Sequence, residues 1–159
     1  MSKYYSLEIN GKQCQVEAEP YHSLLYVLRE QLRLTGSKIG CNEAECGSCT
    51  VILDGVPVLS CLTLIGDARG KAILTIEGLS KNGESHPLQA RMVNLGGIQC
   101  GYCTPGIIIS AYALLQENPD PTNEEIRKAI SGNICRCTGY GKIVEAVQAA
   151  AADLREKTQ

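Results

Sequence analysis

The sequence predicts an α+β fold in two parts, on the strength of a change in apolar period and a polar break between the two regimes. Up to about residue 78, apolar residues alternate at the period of a strand between short turn signals; from Pro87 onward they recur at helical spacing. The polar run Ser80-Lys81-Asn82-Gly83-Glu84-Ser85 lies between them. The expected organisation is a strand-rich domain over residues 1–78, a linker at 79–86, and a domain of four helices over residues 87–159.

In the first half, Tyr5, Leu7 and Ile9 alternate with polar residues, Asn10-Gly11 supplies a two-residue hairpin turn, and Cys14, Val16 and Ala18 alternate on the return strand. Cys14 falls on the apolar face with no other cysteine near it in sequence, so it reads as a small core residue. Pro20 closes that strand. Ser23 is placed to cap a helix through about Leu32, with Leu24, Leu25, Leu28 and Leu32 on one stripe. Thr50 to Leu53 and Val56 to Cys61 read as strands either side of Asp54-Gly55, and Ala72 to Ile76 as one more.

In the second half, helices are expected from Pro87 to Leu95, stopped by Gly96-Gly97; from Pro105 to about Glu117, with Thr104 as N-cap; from Asn123 to Ser131; and from Lys142 to about Glu156. Thr122 and Glu125 have the spacing of a capping box. The run Ile107-Ile108-Ile109 is far too short to span a membrane and reads as helical core.

Composition narrows the function classes. Fifteen Lys and Arg against seventeen Asp and Glu leave a net charge of −2, and with no basic tract and no Phe or Trp, nucleic-acid binding has no support. Residues 1 to 30 lack a basic segment followed by an apolar run and cleavage site, and no stretch is long enough for membrane insertion, so a soluble, cytoplasmic protein is expected. In a reducing compartment, nine cysteines, odd in number and most of them clustered, point to metal rather than to disulfides.

Cys41, Cys46 and Cys49 are spaced C-x4-C-x2-C, and Cys61 follows at the far end of a hairpin that begins at Cys49. One hairpin lets two ligands lie side by side despite the intervening residues. This is the spacing of a plant-type 2Fe-2S site, whereas zinc prefers two CxxC-like pairs. Gly40, Gly47 and Ser48 are small enough for main-chain N–H groups to approach the cluster sulfurs. Four more cysteines occur as Cys100-Gly101-Tyr102-Cys103 and Cys135-Arg136-Cys137, each pair in a connection between predicted helices and each followed by threonine. Cys103 would be delivered to a helix N-terminus, which favours a metal-bound thiolate. By spacing alone this quartet suits zinc or a second 2Fe-2S cluster. A redox dithiol at Cys100 and Cys103 would leave two cysteines idle.

The order strand, strand, helix, loop, strand, strand, strand over residues 1–78 resembles the β-grasp domain of plant-type ferredoxins. Over nearly the whole chain, GCNEAECGSCTV, QCGYCTPG and GNICRCTGY, in that order, resemble the iron–sulfur subunit of the molybdenum hydroxylases. That family includes xanthine dehydrogenase, aldehyde oxidoreductase, nicotinate dehydrogenase, aerobic carbon monoxide dehydrogenase and 4-hydroxybenzoyl-CoA reductase. The resemblance implies two 2Fe-2S clusters, one on Cys41, Cys46, Cys49 and Cys61, the other on Cys100, Cys103, Cys135 and Cys137. It implies that Gln99 and Cys137 contact a molybdopterin, in the cytosine dinucleotide form, held mainly by a large partner subunit, with FAD on a further, medium subunit. Ala44 stands where the family usually carries glycine, and Ser48 where alanine is common.

The function so implied is electron relay between the molybdopterin centre and a flavin subunit or other acceptor, as the non-catalytic member of an oxidoreductase. No catalytic residue is expected in this chain: it lacks a Gly-rich phosphate loop, and His22 and His86 read as isolated surface residues. A freestanding two-cluster ferredoxin-type carrier would carry the same cysteines, and a structural zinc module is the remaining class.

Overall fold

Strands β1 (Lys3–Ile9) and β2 (Lys12–Ala18) pair antiparallel with Tyr5 opposite Val16 and Leu7 opposite Cys14. Asn10 and Gly11, at φ 52° and 76°, form the doubly left-handed turn that matches the twist of a tight hairpin. The computed structural model describes residues 2–157. Met1, Thr158 and Gln159, where the predicted domains begin and end, lie outside the described residues. Tyr5, Leu7, Ile9, Val16 and Ala18 are buried as their alternation requires. Cys14 is only half-buried, packed at the edge of the core that holds Leu7 and Val16, and burial pushes its thiol up.

Ser23 caps the first helix, accepting the Tyr26 N–H at 3.2 Å. The predicted helix is not uniform. After α1 (Leu24–Tyr26) the chain widens into a π turn over Val27–Gln31, closed by Leu32 N–H to Val27 O at 3.1 Å. Leu24, Val27 and Leu28 are buried under the sheet while Leu25 is buried against Cys49 and Cys61. Burying consecutive leucines on two faces favours the wider turn over a single helical stripe.

Strands β3 (Thr50–Leu53), β4 (Val56–Leu59) and β5 (Ala72–Leu74) complete a five-stranded sheet in the order β2-β1-β5-β3-β4, with β5 parallel to β1 and antiparallel to β3. The return strand expected to reach Cys61 stops at Leu59. Ser60 turns there, its hydroxyl donating to Cys49 O at 2.6 Å and its carbonyl accepting Leu25 N–H at 3.0 Å. Likewise β5 ends two residues early because Asn10 Oδ1 takes the Thr75 N–H at 2.9 Å, and a 3₁₀ turn follows at Ile76–Gly78.

The second half holds α2 (Pro87–Asn94), α3 (Thr104–Glu117), α4 (Asn123–Ala129) and α5 (Gly141–Glu156). Thr122 and Glu125 form the predicted reciprocal cap, at 3.3 and 2.7 Å. His86 is not an isolated surface residue. Its Nδ1 accepts the Leu88 N–H at 3.2 Å, Gln89 Oε1 accepts the His86 N–H at 2.9 Å, and its ring packs on Tyr112. Burial, with the charges of Lys157 and Lys81, lowers its pKa, which keeps the imidazole neutral and able to accept. Thr104 begins α3 instead of capping it, and Cys103 occupies the N-cap position with no side-chain cap bond. Ile107 and Ile109 are fully buried, and Ile52 of β3 and Leu79 share this helical core with α2, α3 and α5, so sheet and helices pack as neighbours. Among the described residues no helix is long and apolar enough to cross a membrane.

Candidate metal centres

The loop from Cys41 to Cys49 runs through left-handed backbone at Asn42, Ala44 and Gly47, φ 59°, 61° and 69°. Those reversals aim main-chain N–H groups inward. Cys41 Sγ accepts from Glu43 N and Glu45 N at 3.3 Å and from Cys46 N at 3.4 Å, and Cys46 Sγ accepts from Cys41 N at 3.4 Å. The N–H groups of Glu43, Cys46 and Glu45 bring the Cys41 thiol down to about 7, so it ionises near neutrality. Gly40 permits the approach: a Cβ there would lie 2.4 Å from Cys46 Sγ.

The other two thiols of this group are set deeper. Cys49, immediately before β3, and Cys61, beyond β4, lie against each other with Leu25. Burial, reinforced by the Cys61 thiol and opposed by its main-chain N–H, pushes Cys49 up to about 11.

The second quartet repeats the pairing between helices. Cys100 and Cys137 are exposed, their sulfurs 3.7 Å apart, while Cys103 and Cys135 meet on the inner side. Burial, then the neighbouring Cys135, raises Cys103 to about 12. For Cys135 the penalty of burial is outweighed by hydrogen bonds from Thr138, and its pKa falls below the ordinary value. Gln99 is exposed and immediately precedes the exposed Cys100.

The thiols thus meet in twos. Two irons bridged by sulfide take two thiolates each, so paired sulfurs with N–H donors aimed at them fit a 2Fe-2S cluster in each loop.

Three contacts outside the predicted set join the loops. Ile134 N–H donates to Cys46 O at 2.9 Å, buried Asn133 donates through Nδ2 to Gly47 O at 2.9 Å, and the Tyr102 hydroxyl donates to Ile39 O. The backbones touch closely here: a Cβ on Gly106 would lie 2.2 Å from Gly47 O, and one on Gly47 2.3 Å from Gly132 O. Asn133 carried no signal in spacing or pattern, because its partner lies 86 positions away in sequence.

Comparison with known proteins agrees with this geometry. Residues 7–73 match the 2Fe-2S iron-sulfur cluster binding domain and residues 75–148 the [2Fe-2S] binding domain. The nicotinate dehydrogenase small FeS subunit of Eubacterium barkeri is 51% identical over 91% of this chain and 92% of its own length. The chain belongs to the iron–sulfur subunits of the molybdenum hydroxylases. The nicotine 6-hydroxylase small subunit of Paenarthrobacter nicotinovorans is 45% identical over 95% of this chain and 91% of its own. The crystal structure of quinoline 2-oxidoreductase from Pseudomonas putida 86 superposes with a TM-score of 0.94 at 44% identity, over 98% of this chain and 97% of that one. The subunit is an electron-transfer component of an oxidoreductase complex, with two 2Fe-2S-binding domains.

Ala44 bears directly on loop stability. Its left-handed φ of 61° is a conformation that glycine adopts freely and alanine only with strain. Ala44→Gly is expected to stabilise the subunit by roughly 1 kcal/mol, read as an upward shift of a few degrees in the apparent melting midpoint at fixed scan rate. An unchanged or lower midpoint would show that the strain is relieved elsewhere in the loop.

Proposed function

We propose that Cys41, Cys46, Cys49 and Cys61 hold one 2Fe-2S cluster and Cys100, Cys103, Cys135 and Cys137 the other, and that the subunit relays electrons from a molybdopterin on a large partner to a flavin-bearing partner or other acceptor. The bound clusters supply one-electron redox chemistry. The observation that carries the reading is that the two thiol quartets stand on loops tied directly together, Ile134 N–H to Cys46 O at 2.9 Å, one residue from Cys135. Hydrogen bonds from Asn133 and Tyr102 join the same two loops.

The exposed side of the second quartet, Cys100 and Cys137 with Gln99 immediately before Cys100, supplies the face for the pterin. A primary amide both donates and accepts, which suits the edge of a heterocycle. The large subunit selects the substrate, and relatives named for nicotinate, nicotine and quinoline favour an N-heteroaromatic compound.

The test is the natively assembled protein, reduced stepwise and followed by electron paramagnetic resonance with metal and sulfide analysis. Two distinct signals, with about four irons and four acid-labile sulfides per subunit, are expected. Zinc with no such signal, or elution as a free 17.1 kDa monomer, would defeat the cluster or the subunit reading respectively.

A further inference from the structure

Both sulfur groups receive main-chain hydrogen bonds, and the second receives one from a side-chain hydroxyl as well. In the first loop the donors on Cys41 are three main-chain N–H groups. In the second, Cys135 Sγ lies 3.1 Å from Thr138 Oγ1, and the Cys135 N–H is drawn away to the Tyr140 hydroxyl at 2.6 Å. That hydroxyl in turn donates to Asn133 O at 2.9 Å, and the Tyr140 N–H donates to Thr138 Oγ1 at 3.3 Å. Tyr140 does this from a left-handed backbone, φ 66°, immediately before α5. A non-glycine residue held there costs about 1 kcal/mol or more, which the surrounding contacts must offset.

We propose that Thr138 is a positioning residue that sets the reduction potential of the second cluster, its hydroxyl donating to Cys135 Sγ in an orientation imposed by the Tyr140 N–H. The proposal rests on Cys135 being an iron ligand. Between a free thiol and a hydroxyl either atom can donate, but a sulfur bonded to iron carries no proton, so the hydroxyl is the donor. The Tyr140 N–H occupies a lone pair of the same oxygen and so turns the hydroxyl hydrogen toward the sulfur. Each added electron makes the ligand sulfurs more negative, and a donor aimed at one of them stabilises the reduced form more than the oxidised form. The Thr138 hydroxyl thus adds a side-chain donor to the main-chain N–H groups of Thr138 and Cys137 on this sulfur.

Potentiometric titration of the assembled holoenzyme, followed by electron paramagnetic resonance, tests this. Thr138→Val is expected to lower the midpoint potential of one cluster and leave the other unchanged, and Thr138→Ser to restore it. In deuterated buffer the deuterium coupling of that same signal should weaken in Thr138→Val and persist in Thr138→Ser. Two intact signals with full iron and no shift in Thr138→Val overturn the proposal, as does a shift equal in the serine variant or in both clusters. Should Thr138→Val not assemble, Thr138→Ala takes its place under the same criteria. Absence of the second signal from the unsubstituted protein would instead defeat the ligand assignment on which the proposal stands.

Discussion

Cys103→Ser is expected to strip the second cluster from the subunit and leave the first, reducing bound iron from about four to about two atoms per chain. Cys103 is buried at the N-cap position of α3, and without iron its thiol titrates only at about 12, chiefly because burial disfavours the anion. Iron must therefore displace a strongly held proton, and a thiolate is a good enough ligand for it to do so. A serine hydroxyl in the same pocket is a much weaker acid and a harder donor, and at neutral pH it offers iron no anion. One paramagnetic signal should disappear while the other is unchanged, and the assembled enzyme should lose turnover with acceptors that draw electrons through the relay. Cys14→Ser is the control: Cys14 packs against the sheet core and belongs to neither quartet, and its substitution should leave iron content and both signals intact. Full iron in Cys103→Ser, or iron loss in Cys14→Ser, would refute the assignment.

Gly106→Ala should loosen the joint between the two loops. The added methyl would meet Gly47 O at 2.2 Å and Asn133 Nδ2 at 3.1 Å, and a main-chain carbonyl cannot swing aside as a flexible side chain does. Either α3 or the first cluster loop must move, at a cost of about 1–3 kcal/mol for overpacking. Such a movement also strains the bonds from Asn133 to Gly47 O and from Ile134 to Cys46 O, since they fall on the two consecutive peptides either side of Gly47. The melting midpoint should fall by several degrees. Single-turnover reduction should show electrons reaching the first cluster more slowly, with iron content preserved. Unchanged stability and unchanged inter-cluster transfer would show that this contact is incidental.

Much of the architecture was legible because it is local. The hairpin turns at Asn10-Gly11 and Asp54-Gly55 need left-handed backbone that Asn, Asp and Gly tolerate, and the Thr122–Glu125 cap lies within one helical turn. The arrangement of eight cysteines in closely spaced sets was legible for another reason: metal chemistry restricts the spacing of its ligands. The departures lie where packing or a remote partner overrides a local preference. Buried leucines facing two ways widen the first helix, Ser60 and Asn10 end their neighbouring strands early, and the neutral ring of His86 is recruited as a cap.

By itself the chain's order of residues determined that strands precede helices and that the cysteines fall into an early group and two later pairs, since each follows from periodicity or from spacing; the two-cluster reading came from resemblance to a family. Only the tertiary structure decided which sulfurs meet, that Asn133 and Ile134 fasten one loop to the other, and that Thr138 and Tyr140 stand over Cys135. The reason is physical: hydrogen bonds and van der Waals contacts depend on distance in space, and residues that lie far apart along the chain leave no trace of that distance in its local pattern.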